Sequence, residues 1–365
     1  MEPEVVLSIL RDAGYPAVSL TVIAEGSNHH VFDVTLENGV QVICKFAKVR
    51  ETEKGITAAH RDTLFGGRLS LDRESYLLGL AREQGDLPVP QVHGTHDSPL
   101  GKFIVLEKCP GISFTEWLPT QSFRLEPFLS SLEALGRDFG KLHKNIHLPS
   151  FGDIIDGETI EPGCDNFADR FMAVTEMRIA RGAKKGTFTA KEAERVSAFF
   201  RQRFTALRPF LSANVCRPVM VFTDMHGRNY FVDAHGVPSG YFDLESAQAA
   251  PAALEFYGFR FFLFNFFDAE TFPKAEEAFF KGYREAGGPC APQSAEDEEL
   301  IQLLSGCRLL ELAESYWGVE DAIRDTWGVR MKALLLQYME TGVIDYPALG
   351  QIWRERDGQP LHPVQ

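Results

Sequence analysis

The stretch from Val221 to Asp243, VFTDMHGRNYFVDAHGVPSGYFD, decides how the rest of the chain is read. Val219–Thr223 reads as a short buried strand, and Asp224 stands where it ends. Asn229 follows across a turn that holds Gly227. Tyr230–Asp233 and Val237–Phe242 read as a hairpin around Ala234-His235-Gly236, which delivers Asp243 at a strand end. A carboxylate, an amide and a second carboxylate are thereby gathered by one loop and one hairpin. Phosphoryl transfer asks for such a set: an acid that orients and deprotonates a hydroxyl, and two oxygen ligands for magnesium. An Asp beside a glycine turn also closes turns with no chemistry attached, by bonding its own backbone. Independent support has to come from upstream.

Upstream, Pro3–Ala13 reads as a helix with Pro3 in its first turn and Gly14 at its end. Ser19–Ala24 and Val31–Leu36 read as strands, and Val40–Ala47 as a third after the turn Glu37-Asn38-Gly39. Alternation puts Val40, Val42, Cys44 and Phe46 on one face and Gln41, Ile43, Lys45 and Ala47 on the other. Lys45, mid-strand among apolar neighbours, is either an edge-strand gatekeeper or a cleft residue with an anionic partner. The partner candidate is Glu74, in the first turns of a helix read over Leu71–Gln84, with Ser70 as N-cap. A lysine on the third strand paired with a glutamate on the next helix is an arrangement that grips nucleotide phosphates. The loop Glu25–His30 would cover those phosphates through its backbone N–H groups and the Ser27 and Asn28 side chains, although its single glycine is a weak signal. His29-His30 lacks a third metal ligand nearby. The charged residues 50–69 are either a substrate-side flap or an ordinary long loop.

Gly101–Glu107 reads as a strand ending at a boundary, and Lys108-Cys109-Pro110-Gly111 as a linker. In a kinase reading the backbone of Glu107–Cys109 would bond the adenine edge. Helices are read over Phe128–Ile146, Asn166–Ala180, Ala190–Leu211, Ala252–Phe267, Leu300–Tyr316 and Ala322–Glu340. Thr189 to Glu192 forms a capping box for the third of these. The aromatic stripe of Ala252–Phe267 is read as core before substrate platform, and His143 as a packed core histidine before a ligand.

The composition is that of a soluble globular protein: 44% hydrophobic and 24% charged, over a length that suits two domains or lobes. A net charge of −14 argues against nucleic acid, whose phosphates need basic patches, and is compatible with a cationic substrate. Between Asp268 and Asp325 stand 14 Asp/Glu against 5 Lys/Arg, which reads first as a solvated helical surface and second as a binding patch. Six scattered cysteines without a CxxC pair suit reduced thiols in the cytoplasm. The acidic N-terminus lacks signal-peptide order, and the apolar run Phe259–Phe267 is too short to span a bilayer, so no membrane partner is expected.

With these residues placed, the chain resembles the aminoglycoside phosphotransferase and choline-kinase-like superfamily. The resemblance runs from about Val18 to Tyr257. It rests on the ordered set Lys45, Arg73-Glu74, Leu87-Pro88-Val89-Pro90, Val105-Leu106-Glu107, Leu142-His143, Asp224 to Asn229, and Phe242-Asp243-Leu244-Glu245. The D-x4-N spacing is also that of the protein-kinase catalytic loop. The resemblance implies an α+β, protein-kinase-like two-lobed fold, with a nucleotide-binding lobe over residues 1–107. A larger, mainly helical lobe over 108–365 would carry the catalytic loop and the substrate site. It implies ATP and Mg2+ in the cleft, Asp224 as catalytic base, Asn229 and Asp243 as metal ligands, Lys45 on the phosphates and Glu74 holding Lys45. His226 matches the family's histidine after Asp and shapes the loop. Phe222 and Thr223 depart from the family's usual His-Gly. Arg228 replaces a small residue and faces a phosphate, an anionic substrate group or solvent.

The expected activity is O-phosphotransfer from MgATP to a hydroxyl of a small molecule, an aminoglycoside-like antibiotic or another hydroxylated metabolite, with the acidic helices favouring an amine-bearing one. The alternative is a nucleotide-binding scaffold without turnover, for which Phe222-Thr223 is the only support. Phosphorylation of proteins is disfavoured because no D-F-G or A-P-E signature follows Asp243.

Overall fold

Alternating burial in the first strands builds the N-terminal sheet. A computed structural model describes residues 1–25, 29–48, 64–65, 70–156, 159–264, 268–319 and 322–356. Helix α1 (Pro3–Asp12) buries Val6, Leu7 and Leu10. Strands β1 (Ala17–Glu25), β2 (His29–Leu36) and β3 (Gln41–Ala47) follow; then come helix α2 (Leu71–Glu83) and strands β4 (Val92–His96) and β5 (Phe103–Glu107). The five strands form one antiparallel sheet in the order β1-β2-β3-β5-β4. Val42, Cys44 and Phe46 join α1, Phe32, Val34 and Phe103 in a core on one face. Lys45 lies at an alternate position and leaves from the other face, yet it too is buried. Because β3 runs between β2 and β5, Lys45 is not on an edge strand.

Ser70 caps α2 as expected, its hydroxyl accepting the Arg73 N–H. The buried side of α2, with Leu77, Leu78 and Ala81, belongs to a second and larger core shared with the helices that follow. The helix is therefore anchored between the sheet and the rest of the molecule.

Beyond Glu107 the chain is mainly helical. Its elements are β6 (Ile112–Ser113), α3 (Phe114–Thr120), α4 (Leu125–Asn145), β7 (Phe151–Ile154), β8 (Ile160–Cys164), α5 (Phe167–Lys185) and α6 (Ala190–Leu207). Then come β9 (Val219–Val221), β10 (Tyr230–Val232), β11 (Pro238–Tyr241), β12 (Gln248–Ala250) and α7 (Ala253–Phe259), which runs into a π-helical turn at Arg260–Phe264. The chain ends in α8 (Thr271–Glu285), α9 (Ala295–Tyr316), α10 (Ala322–Thr341) and α11 (Tyr346–Arg356). Two small sheets, β11-β10-β6 and β8-β7-β12-β9, sit among the helices. The fold is α+β, with a β-rich N-terminal region and a helical C-terminal region.

The hairpin expected before Asp243 is β10 and β11, and the capping box at Thr189 and Glu192 is present. Leu132, Leu135, Phe139 and Leu142 line the buried side of α4. The aromatic run is core: Phe256, Tyr257, Phe259, Phe261 and Phe264 are all buried. Strands β6, β7 and β12 are too short for a periodic signal, and sequence reading misses them. No helix among the described residues is long and apolar enough to cross a membrane.

Helices α4 and α8 meet at backbone distance. A Cβ on Gly136 would overlap the Phe279 carbonyl oxygen, and one on Gly282 would overlap that of Glu133. Replacing Gly136 by Ala should lower the unfolding free energy by about 1–3 kcal/mol, as overpacking does. The helix-propensity gain of ~1 kcal/mol works in the opposite direction and is expected to be the smaller effect. Urea unfolding of Gly136→Ala checks this, and an unshifted or raised midpoint would show that the two helices can part without loss.

Candidate active site

Strand β9 is wholly buried and stops where the chain must turn out toward solvent. The turn is made at Thr223, whose φ of 65° is left-handed. A β-branched residue is uncommon there, whereas glycine enters that region freely. Glycine would enter this conformation without strain, and here a Thr is held in it by its neighbours. Several bonds hold the strained segment. Glu255 Oε2 accepts the Phe222 N–H at 2.5 Å, Thr223 Oγ1 donates to the Ser246 carbonyl at 3.1 Å, and Tyr257 Oη donates to the Thr223 carbonyl at 3.4 Å. Phe222, at the position where the family pattern usually has His, packs edge-on against Phe139 and Tyr241.

Asp224 emerges from this loop partly exposed. Asn229 Nδ2 donates to the Asp224 carbonyl at 2.8 Å, and the Phe242 N–H donates to the Asn229 carbonyl at 3.2 Å, so loop and hairpin are tied together. The amide nitrogen of Asn229 is thereby used, and what the side chain can offer a cation is its Oδ1. Asp243 follows with φ 64°, a conformation Asp tolerates better than most residues.

Lys45 closes the arrangement from the sheet. Its Nζ lies 2.8 and 3.0 Å from the Glu74 oxygens, 2.7 Å from Asp243 Oδ1 and 3.8 Å from Glu245 Oε2. Burial would pull the ammonium's pKa down, but Glu74, Asp243 and Glu245 outweigh it and hold the pKa above the ordinary lysine value. Burial also pushes Asp243 up, and the Lys45 ammonium reverses this, leaving the carboxyl below its usual range. One ammonium stands among three carboxylates, with His29 Nδ1 3.4 Å from Glu245. The excess of carboxylate oxygen around Lys45, Asp243 included, suits a hard divalent cation, which prefers oxygen donors. No cluster of three His, Cys, Asp or Glu side chains fit to hold a metal occurs among the described residues. A magnesium site completed by phosphates and water needs fewer protein ligands than that.

The remaining candidates fall variously. Glu107 ends β5, and its N–H donates to the Gln91 carbonyl at 2.8 Å, so that N–H is not open to a ligand. Its carboxylate accepts the Gln91 N–H and an Arg82 N–H, away from a binding role. Cys109 lies half-buried against Gly240. His226 Nδ1 accepts the Arg228 N–H at 3.3 Å, and its ring stands edge-on to Phe262. Arg228 is exposed. His143 is fully buried, sharing a hydrogen bond with Tyr283 Oη at 2.9 Å, and burial pushes its imidazole down to about 3. It is a packed core histidine, as expected. Ser27 and Asn28 lie outside the described residues, as do residues 50–63 and 66–69.

Four residues matter that sequence reading left without a role. Arg73 is buried, with Nε donating to the Ile154 carbonyl and Nη1 to that of Glu245, both at 2.7 Å, and Nη2 donating to that of Ala247. It pins α2 to the segment after Asp243 while its neighbour Glu74 holds Lys45. The spacing of Arg73 from Leu77 and Glu74 from Leu78 was the available signal, since it places both charges on a buried stripe. Glu245 completes the acid cluster, Glu255 holds the loop, and Arg308 of α9 approaches Asp224 with Nη2 3.7 Å from Oδ1. Glu255 and Arg308 are lone charges in apolar runs, a weak sequence signal.

A β-rich N-terminal region and a mainly helical C-terminal region, joined where Lys45 meets Asp243, make a protein-kinase-like fold. The model of the phosphotransferase enzyme family matches residues 19–293, and the chain belongs to that family. It is accordingly an enzyme of the small-molecule kinase class. Solved structures share the fold at low identity. A candidate fructosamine-3-kinase from Thermobifida fusca aligns at TM-score 0.59 and 15% identity, over 91% of this chain and 98% of its own. A macrolide 2′-phosphotransferase from Brachybacterium faecium aligns at 0.52 and 13%, over 90% and 96%. The GDP complex of an aminoglycoside 2′-phosphotransferase IIIa mutant aligns at 0.53 and 10%, over 92% and 97%. No match was found among curated protein sequences.

Glu255 yields a pH prediction. Burial lifts its carboxyl from an ordinary 4.5 to about 8, against the opposing pull of the Phe222 and Thr223 N–H groups. A carboxyl raised in the folded state contributes stability that is full below its unfolded pKa and is lost as pH rises through the folded value. Wild-type stability should therefore decline between about pH 4.5 and 8 more steeply than that of Glu255→Gln, which stays neutral and still accepts the Phe222 N–H. Parallel pH–stability curves for the two proteins would contradict the assignment.

Proposed function

We propose that the protein is an ATP-dependent O-phosphotransferase acting on a hydroxyl of a small molecule. The observation that carries this reading is the 2.7 Å contact of Lys45 Nζ with Asp243 Oδ1. It brings the ammonium of the N-terminal sheet to the carboxylate tied, through Phe242 and Asn229, to the loop that bears Asp224. In this reading a nucleoside triphosphate binds beside this pair, with Lys45 on its phosphates, Glu74 fixing Lys45, and Asn229 Oδ1 and Asp243 able to hold Mg2+. When bound, that ion offsets charge on the phosphate oxygens. The Glu107 carbonyl and the Cys109 N–H are offered to the base edge, with residues 1–107 supplying most nucleotide contacts and 108–365 the acceptor side.

Asp224 accepts a hydrogen bond from the acceptor hydroxyl and orients its lone pair toward the γ-phosphorus. The oxygen–phosphorus bond forms as the bond from that phosphorus to the β–γ bridging oxygen breaks. The electron pair leaves on the nucleoside diphosphate, and the hydroxyl proton passes to Asp224. The fixed ammonium stabilises charge where it develops, without reorganising.

For the acceptor, the acidic helices carry less weight than their composition suggests. Glu276 and Glu298 pair with Arg260, Glu299 with Arg203, Glu311 with Arg308, and Glu314 with Arg178, Arg181 and Lys185. These five carboxylates already have cationic partners within the fold, so the acidity of the segment does not by itself select an aminoglycoside-like amine over a neutral polyol.

The test is a screen of hydroxylated metabolites and antibiotics for acceptor-dependent ADP release, with GTP run beside ATP. Turnover is expected for at least one acceptor, and Asp224→Ala should lower kcat by about 10²–10⁴-fold, the range of general-base losses, while nucleotide affinity is kept. Wild-type turnover in Asp224→Ala would remove that residue from the role.

A further inference from the structure

The arginine beside Asp224 is held in an unusual way. Arg308 lies on α9, its side chain only 15% exposed, with its guanidinium carbon 5.2 Å from the Phe65 ring centre and 5.7 Å from that of Phe262. Nη1 donates to Glu311 Oε2 at 2.6 Å. Nε is buried with no hydrogen-bond partner among the described residues, and Nη2 stands 3.7 Å from Asp224 Oδ1, beyond hydrogen-bond reach. An arginine retained for structure alone would satisfy its donors, because leaving a buried one unmade is costly. Here one edge of the fork is anchored by Glu311 and the two rings. The other edge is aimed at the carboxylate of the acceptor side without bonding it.

We infer that Arg308 is a further catalytic residue, and that its Nη2 and the Asp224 carboxylate share the acceptor hydroxyl. The inference rests on the phosphotransfer reading. A hydroxyl has one proton to donate and lone pairs to accept with. Its oxygen can stand about 2.8 Å from both Oδ1 and Nη2, donating to the first and accepting from the second. That double contact fixes the direction of the remaining lone pair. The positive charge beside the oxygen favours the charge it gains as its proton moves to Asp224 and its bond to phosphorus forms. The Phe65 and Phe262 faces and Glu311 hold the guanidinium in register, so little is reorganised when the acceptor enters. Phe65 comes from the N-terminal region and Phe262 from the turn after α7, so the guanidinium is set only when the whole fold is assembled.

The experiment measures kcat and nucleotide KM for wild type, Asp224→Ala, Arg308→Ala and Arg308→Lys, with thermal unfolding of each. The nucleotides are MgATP and MgGTP, and the acceptor is either one found by screening or water in slow hydrolysis. Arg308→Ala is expected to lose roughly 10²-fold in kcat, as on removal of one oriented donor, with nucleotide KM little changed. Added guanidinium or methylguanidinium should restore part of that loss, an effect a merely structural arginine would not show. Arg308→Lys should fall by roughly tenfold, since a misplaced contact slows the step and a single ammonium cannot hold Glu311 and the hydroxyl at once. Should the alanine variant not fold, the lysine variant decides. Wild-type kcat in either folded variant overturns the assignment, and so does a loss that guanidinium does not rescue and that raises nucleotide KM equally. If Asp224→Ala abolishes turnover and the Arg308 variants retain it, only the Arg308 inference falls. If wild type turns over neither nucleotide with any acceptor or with water, the phosphotransfer reading falls and takes this one with it.

Discussion

A single ammonium, that of Lys45, joins three parts of the chain: the N-terminal sheet, α2 and the segment after the β10–β11 hairpin. It lies on the middle strand of the N-terminal sheet, yet its partners come from α2 and from the segment after the β10–β11 hairpin. Buried charges are costly unless paired, and breaking such a pair by removing one partner costs about 3–5 kcal/mol. That cost applies to Lys45 and Glu74, both buried, whereas the Asp243 side chain is 41% exposed and its share is screened by solvent. Arg73 works beside it in the opposite sense, a buried cation satisfied by three carbonyls, two of them just after Asp243. Two adjacent residues of one helical turn thus fix both the gripping amine and the backbone of the carboxylate it faces.

The loop that bears Asp224 is held differently. Its strain is concentrated at Thr223, and the surrounding groups over-determine it: a buried glutamate on the preceding N–H, a tyrosine hydroxyl on the carbonyl, and a threonine hydroxyl reaching the neighbouring turn. Strained backbone persists only where neighbours enforce it, and such places cluster at functional sites. Phe222 adds an apolar anchor against Phe139 and Tyr241. Replacing the family's His-Gly by Phe-Thr therefore changes how the loop is held while its course stays compatible with the bonds between Asp224, Asn229 and Phe242. No finding favours a scaffold without turnover, for which those two residues were the only support.

The charge balance of the helical region follows the same rule. A strongly acidic stretch suggested either a solvated face or a site for cations. Asp268, Glu270, Glu277, Glu285 and Glu296 are exposed, as a solvated face requires, whereas Glu276, Glu298, Glu299, Glu311 and Glu314 pair with arginines and lysines from α5, α6, α9 itself and the π-helical turn. Net charge counted along a segment says little about field at a site, because ion pairs are made across the fold and not along the chain.

Much of this molecule is set by local pattern. The alternation of β3 placed Lys45 opposite its apolar neighbours, the Ser70 cap and Leu77-Leu78 stripe placed Glu74 inward, and the strand–loop–hairpin order of residues 219–243 put Asp224, Asn229 and Asp243 at strand ends. Periodicity and turn chemistry act over a few residues, so they survive in the bare sequence. What required the assembled fold was every contact between distant elements: that β3 is internal to its sheet, that Arg73 grips the segment after Asp243, that Glu255 accepts the Phe222 N–H ahead of Asp224, and that Arg308 approaches Asp224 between Phe65 and Phe262. A lone charge in an apolar run is the same signal whether its partner is water or a carbonyl far along the chain. Only packing, which decides who is desolvated beside whom, tells the two apart.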